Sequence, residues 1–519
     1  MNKALQTVLE YHQTTKHSQQ RYARSMGYLD WDTQPNPFRN YNGSTLIDLP
    51  LSNANATPPY SLLDEDLPSA PLLKESISQL LEYSMGLAAW KVSGESSWAV
   101  RCNASSGNLH PTESYLILPP VLSEQNGKSA IYHYAPKKHE LETLAEFDTS
   151  FWETFEKNSF IVGLSSVSWR EVWKYGERAF RYVQLDAGHA WQSFVVSAKM
   201  LGWKITRLDG VSHKDMSKLL GLNQANRFFE SEVADMLLIV SPLEVKTSIS
   251  LDTLVDDVPL VYEGIANKLS PTMQEWDIIP AIEKATSENQ MPQKEVPKSK
   301  LTRAATKESK EVVLNRRSIH VMQKETSLIT KEQFHIILQS VLTSQDAKEN
   351  SAHLVLFVNR VEGYGSGLYV FIRNERDKEA LQEQTNSEFL WKSTELHNLY
   401  LLQEQNFQSL SKAISCNQDI AADGAFSLGM LCNFSEQLQT YGAHRYKELY
   451  WECGAIGQQL YLEATSMGLS GTGIGCFLDD VTHNLLGLKD NRFQVLYHFT
   501  VGRGYVDSRI QTKPAYEEK

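Results

Sequence analysis

Five stretches concentrate residues that can do chemistry. In VWKYGERAF, Lys174 and Tyr175 put an amine and a phenol on adjacent residues. Such a pair can take up and pass on a proton, and a buried lysine with a lowered pKa can act as a general base. In LNRRSIH, Arg316, Arg317, Ser318 and His320 fall within five residues, and HFTVGRGY adds Arg503 after an apolar strand. Guanidinium forks suit phosphate, each charge-assisted bond contributing about 1.5–3 kcal/mol. In SGTGIGCF, Gly471, Gly473 and Gly475 surround Ile474, and glycine permits positive φ and close backbone approach. Finally, RCNASSGNLHPTESYLI sets Ser105, Ser106 and Asn108 in a run of small or polar residues before an apolar strand. A plain connection needs less, so this loop is expected to meet a ligand.

These groups need elements to hold them. Leu185–Leu201 and Trp451–Met467 carry apolar residues on most faces, as long buried helices do. Ser114–Leu118, Met236–Val240 and Val495–Val501 are short apolar runs bounded by turn residues and read as strands. The fold class is therefore α+β. The chain also repeats itself. At a shift of 266 positions and without a gap, Tyr175/Tyr441, Gly176/Gly442, Gly188/Gly454, Gln192/Gln458, Gly202/Gly468 and the LLGL motifs at 219–222 and 485–488 coincide. A repeat of this length indicates a tandem duplication of a whole domain. The stretch 269–312, rich in Lys, Glu, Ser and Pro in its later part, has linker composition. The expected organisation is a first domain over 1–268, a linker over 269–312 and a second domain over 313–519, docked as an intramolecular pseudo-dimer.

The two copies differ where the chemistry lies. Opposite Gly471, Gly473 and Gly475 stand Ile205, Arg207 and Asp209, and the first copy has YSLLDEDL and LLIVSPLEV where the second has its arginines. Conversely, the second copy reads SQDAKENSAHLVLF in place of the Ser-Asn loop, and Thr440 replaces Lys174. The losses are complementary, which predicts one working composite site per chain.

Composition narrows the function. With 519 residues and 41% hydrophobic content the chain can bury large cores, while a net charge of -12 argues against a nucleic-acid or acidic-membrane surface. The first residues lack an apolar targeting segment and no apolar run could span a bilayer, so a cytoplasmic protein is expected. Five cysteines without C-x-x-C spacing indicate neither a disulfide framework nor a metal site. His110 and His189 read as structural histidines, and Asp186 as part of the helix or a buried network.

The RRS motif, the SSGNLHP loop, WKYGERAFRYVQLDAGHA, and the glycine stretch followed by VGR together resemble nitroreductase-like flavoproteins. They are most similar to the SagB-type branch of azoline dehydrogenases, which oxidise thiazoline and oxazoline rings in modified peptides; YHQTTKHSQQRYARSMGYLDWDTQPNPFRNY shares that likeness. The resemblance implies two nitroreductase-like domains, each a mostly antiparallel sheet flanked by helices, with FMN as cofactor. By position it implies that Arg316, Arg317, Ser318 and Arg503, with His320 beside them, hold the phosphate and ribityl end. Gly471, Gly473, Ile474 and Gly475 would face the flavin ring, and Ser105, Ser106 and Asn108 its edge. Lys174 and Tyr175 match the pair associated with deprotonating the azoline. The implied partners are a peptide or small-molecule substrate and peptide-modifying enzymes, with the chain a monomeric pseudo-dimer or a homodimer of it. Two alternatives stand beside this reading: an NAD(P)H-dependent nitro or quinone reductase, and a flavin-free scaffold.

Overall fold

The computed structural model describes residues 2–52, 56–208, 210–243, 261–287, 301, 303, 306–342 and 350–517. Much of the expected linker, the polar stretch 343–349 and Asp209 lie outside the described residues.

Two seven-stranded antiparallel sheets form, one in each copy. The first runs Thr45–Asp48, Glu140–Phe147, Ser129–Ala135, Thr112–Leu118, Phe160–Ser166, Val233–Ser241, Lys204–Arg207. The second runs Lys392–Ser393, Leu399–Glu404, Gly367–Phe371, Ala352–Val358, Phe426–Asn433, Phe493–Gly502, Ser470–Ile474. Their strand orders correspond, as the duplication requires. Central strands such as Thr112–Leu118 and Ala352–Val358 are buried along their whole length, which explains why they read as continuous runs and not as alternations.

The helices repeat with the sequence shift. The 22-residue helices Ala179–Met200 and Arg445–Ser466 are related by 445 − 179 = 266, and the short helices starting at His213 and Asp479 by the same offset. Both long helices are buried on nearly every face, so polar residues within them must find partners inside the protein. Helix Ile278–Ala285 occupies part of the stretch whose composition reads as linker.

The two compact units are not contiguous in sequence. One is built mainly of Asn315–Ser508 and also takes in Met1–Ala23; the other is built mainly of Arg24–Gln293 and also takes in Glu308–Leu314 and Arg509–Lys519. In the first of these, helix Lys3–Thr14 starts on its Asn2 cap and lays the His12 ring 4.5 Å from that of Phe434. Lys16 then pairs with Asp480 at 2.7 Å, and His17 N donates to Asp479 Oδ2 at 2.8 Å. In the other unit, Gln511–Lys513 adds a strand to Leu87–Ser93. There the Tyr516 hydroxyl donates to Pro136 O at 2.8 Å and accepts from Leu87 N at 2.9 Å.

Tyr516→Phe deletes that two-way bridge and leaves a backbone donor and an acceptor to find other partners. Chemical denaturation should show a loss of about 1 kcal/mol, with the ring packing kept; an unchanged midpoint would mean that the tail contributes nothing to this unit.

Candidate functional site

The Ser-Asn loop leaves strand Ser96–Arg101 of a three-stranded sheet and enters the seven-stranded sheet at Thr112. Its turn, Ser106–Asn108, is a kinked 3-10 segment in which Gly107 has φ 60° and Asn108 φ 58°; His110 follows at φ 52°. Three left-handed residues in four positions are costly, since a non-glycine residue there gives up about 1–2 kcal/mol. Hydrogen bonds hold them. Asp186, in the long helix, accepts from Ser106 N at 3.0 Å and from Ser106 Oγ at 2.9 Å. Ser105 Oγ accepts from His110 N at 2.8 Å, and Asn108 Nδ2 donates to Ala99 O at 2.8 Å. His110 Nε2 lies 3.0 Å from Asn108 Oδ1, and Arg170 Nη1 donates to His110 O at 2.7 Å. Asn108 therefore spends its side chain on the loop itself. His110 is a loop support, as the sequence suggests.

Lys174 and Tyr175, at the end of helix Trp169–Tyr175, reach this same loop. A methyl group at Gly107 would lie 2.9 Å from Tyr175 Oη and 3.1 Å from Lys174 Nζ. Glycine is thus required twice, by its φ and by the two polar tips above it. The Lys174 amine lies 5.3 Å from the centre of the Tyr175 ring, which packs 4.4 Å from that of Tyr182. Both residues are half-buried.

Two acids that sequence reasoning left without a role lie behind this pair. Burial pushes the Asp186 carboxyl up to about 7, against the lowering effect of the Ser105 and Ser106 hydrogen bonds. Glu171 is fully enclosed, and neither of its oxygens has a hydrogen-bond partner. Burial and then the charge of Asp186 raise its carboxyl well above the usual range, opposed by Lys174 and Arg170. An ionisable residue inside a helix that is apolar on most faces is the sequence signal for Asp186; Glu171, in the mixed helix Trp169–Tyr175, carries none of that kind.

In the other unit, the arginine motif runs along the edge strand Ser470–Ile474. Ser318 bridges Gly471 in parallel, Ile319 N donates to Thr472 Oγ1 at 2.9 Å, and Met322 bridges Gly504. Tyr461, from the long helix, ties the edge together. Its hydroxyl lies 2.8 Å from Ser318 Oγ and accepts from Gly473 N at 2.8 Å, and its ring carries the buried Arg316 guanidinium at 5.2 Å. Arg317 Nη1 donates to Arg316 O at 2.7 Å. Arg503 is exposed; its N donates to Ser327 Oγ and its O accepts from Gln323 N. His320 is exposed nearby. Tyr461 was missed, although the repeat points to it: Val195 stands 266 positions earlier.

The glycine stretch behaves differently from its sequence reading. Residues 470–474 form an extended strand, and neither Gly471, Gly473 nor Gly475 has positive φ. What demands glycine is crowding. A Cβ at Gly473 would overlap Tyr497 Oη, and one at Gly471 would lie 2.8 Å from the Phe499 ring. Ile474 buries its side chain against Met322, Ile420 and Ala421, so only its backbone can face a ligand. The cations, the Ser318 hydroxyl and this side-chain-free edge are a donor set that fits a phosphorylated ligand. Among the described residues no acidic, His or Cys cluster could hold a metal, and no helix is long and apolar enough to cross a membrane.

Residues 313–503 match the nitroreductase family. The chain is 24% identical over 179 residues to a protein of Methanocaldococcus jannaschii provisionally named nitroreductase MJ1384, covering 33% of this chain and 77% of that one. Among solved structures, a protein of Anabaena variabilis provisionally described as a nitroreductase superposes with a TM-score of 0.70 at 20% identity, covering 96% of this chain and 99% of that one. The two share the tandem two-domain nitroreductase-like fold. A chain of the E. coli microcin synthetase McbBCD complex covers 47% of this chain and 94% of its own length at 18% identity, with a TM-score of 0.28, too low to bear on chemistry.

Asp186 gives the protein a pH signature. Its folded pKa of about 7 lies above the ordinary 3.8, so its carboxyl favours the folded state when protonated, and that contribution is lost as pH rises from about 4 to about 7. Over that window, the wild type should lose about 4 kcal/mol relative to Asp186→Asn. Denaturant titrations of both proteins at several pH values measure the difference; parallel curves would remove the titration from Asp186.

Proposed function

We propose that the protein is an FMN-dependent oxidoreductase with one working flavin site, which dehydrogenates azoline rings in a modified peptide or a closely similar substrate. The observation that carries the proposal is the convergence of Lys174 Nζ and Tyr175 Oη over Gly107, on a loop clamped by Asp186. A binding module has no need of an amine and a phenol poised over a strained glycine. In this reading Arg316, Arg317, Ser318 and Arg503 hold the phosphate and ribityl end. The backbone of 471–475 would face the ring, and the loop at Ser105 and Ser106, whose hydroxyls are held by Asp186, would serve its edge. The complementary losses between the copies support one such site per chain.

When bound, FMN would supply the hydride acceptor. The protein's own task is the proton. Lys174 takes the ring proton of the substrate, Tyr175 orients the amine through its ring, and Gly107 leaves room for both. The half-buried setting strengthens these contacts by excluding part of the water. The same reading carries a peptide-modifying partner that makes the azoline and a cytoplasmic setting for both.

The purified protein should carry about one FMN per chain, read from its visible absorption spectrum and the released flavin. Arg503→Ala should weaken FMN binding about 10- to 100-fold, as expected for a lost charge-assisted bond. Lys174→Ala should lower azoline oxidation by at least about 100-fold, as loss of a general base does, while reduction of an artificial acceptor persists. Equal loss in both assays would favour a general nitro or quinone reductase, and no flavin even after addition of excess FMN would leave a scaffold.

A further inference from the structure

Glu171 and Lys174 lie three residues apart on helix Trp169–Tyr175, a spacing that sets two side chains on one face. Glu171 is fully enclosed and its two oxygens lack hydrogen-bond partners, whereas Lys174 stands at the half-exposed end over Gly107. Buried carboxyl oxygens are rarely left in this state, because an isolated carboxylate there is costly. The charged groups acting on Glu171 are few. From its own helix they are Lys174 and Arg170, and from the long helix Asp186. Arg170 serves Glu113 Oε1, His110 O and Asn36 O through Nη1 and Nε, and its guanidinium does not give up a proton whatever its neighbours. Asp186 is an acid held by Ser106. Lys174 is therefore the one cation free to exchange a proton with Glu171.

The duplication supplies an independent observation. In the second copy Thr440 stands at the Lys174 position and Gln437 at the Glu171 position, 437 − 171 = 266. The acid and the amine are thus present together or absent together. Gln437 there is a structural partner, accepting from Arg445 Nε at 2.9 Å.

We propose that Glu171 is the proton partner of Lys174. A proton on the Lys174 ammonium passes by way of water to the Glu171 carboxylate, to which the amine makes no direct hydrogen bond, so that an ammonium and a carboxylate become a neutral amine and a neutral acid and the amine is left able to accept a proton. After the amine has taken a proton, the reverse step holds the ammonium until that proton is released to water. Nothing is oxidised or reduced, and one proton changes place. Glu171 is a positioning residue, since it acts through Lys174. The inference rests on the proposed dehydrogenation only in naming whose proton the amine takes.

The experiment needs neither flavin nor substrate. Competitive acetylation of the full chain, read by mass spectrometry over a pH series, reports the fraction of Lys174 present as free amine. In Glu171→Gln, the amine loses its counter-carboxylate and the labelling midpoint should fall by about one pH unit or more, as removal of an opposite charge nearby predicts. Other lysines should not move. Infrared spectra should show a protonated-carboxyl band in the wild type that Glu171→Gln removes. Should that variant not fold, Lys174→Met keeps the acid, and the band should persist to higher pH than in the wild type. Coincident labelling curves, no such band, or a band that titrates identically in Lys174→Met would each overturn the proposal. Coupling without azoline turnover would sink the dehydrogenase reading alone, and azoline turnover without coupling would sink this inference alone.

Discussion

A carboxyl group in the middle of a buried helix is the constraint on which the site depends. Asp186 is served by the backbone and hydroxyl of Ser106, and these bonds hold a turn whose left-handed residues would otherwise relax. The second copy uses the same helical position in a different way. Glu452, 452 − 186 = 266, accepts from Ser351 N and Ala352 N at 3.1 Å and pairs with Arg373 at 2.6 Å. In both copies an acid on the long helix fixes backbone that leads into a central strand, the loop turn at Ser106 in one and the strand start at Ser351–Ala352 in the other. One is answered by an arginine and becomes a structural ion pair; the other is answered by neutral donors and keeps its proton-binding capacity near neutral pH.

That contrast explains how one duplicated fold came to carry two kinds of surface. Around Asp186 the sheet edge stays ordinary, Lys204–Arg207 bearing full side chains, and the chemistry gathers at a loop. Around Tyr461 the edge strand carries two glycines, so that a hydroxyl, a backbone and the Arg316 guanidinium meet along it. Burial is what makes both arrangements firm. A polar group enclosed with its partners fixes geometry, because leaving it unpaired costs more than the bond itself contributes.

The repeat, the buried helices and the central strands were legible because each depends on a pattern that recurs along the chain: an offset of 266, apolar residues on most faces, or short apolar runs. The glycine stretch was misread for a physical reason. Glycine is selected both by positive φ and by lack of room for a Cβ, and only the neighbouring strand, with Tyr497 and Phe499, tells the two apart. Asp186 is the buried-network residue that the sequence suggests, although its partner Ser106 is 80 residues distant. Glu171 escaped because its carboxyl has no hydrogen bond at all, and Tyr461 because its Ser318 partner lies 143 residues away. Their trace was nevertheless present in the differences between copies, Glu171 against Gln437 and Tyr461 against Val195. Asn108 shows the converse: a polar residue in a suspected binding loop whose hydrogen bonds are made inward.

The interleaving of the two units bears on how the chain is made. Helix Lys3–Thr14 finds Phe434, Tyr446 and Gln494 as neighbours, so the segment emerges from the ribosome roughly 420 residues before its seat exists. At about 5–20 residues per second, that is a wait of about 20–80 s. During this time an amphipathic helix too short to be stable alone must stay soluble. The strand Gln511–Lys513 meets the opposite situation, arriving last at a hairpin that has long been synthesised. Neither unit can therefore be complete while the other is unsynthesised, and a nascent chain halted after residue 293 would leave the unit built on Arg24–Gln293 without its closing strand and the other with little more than its opening helix.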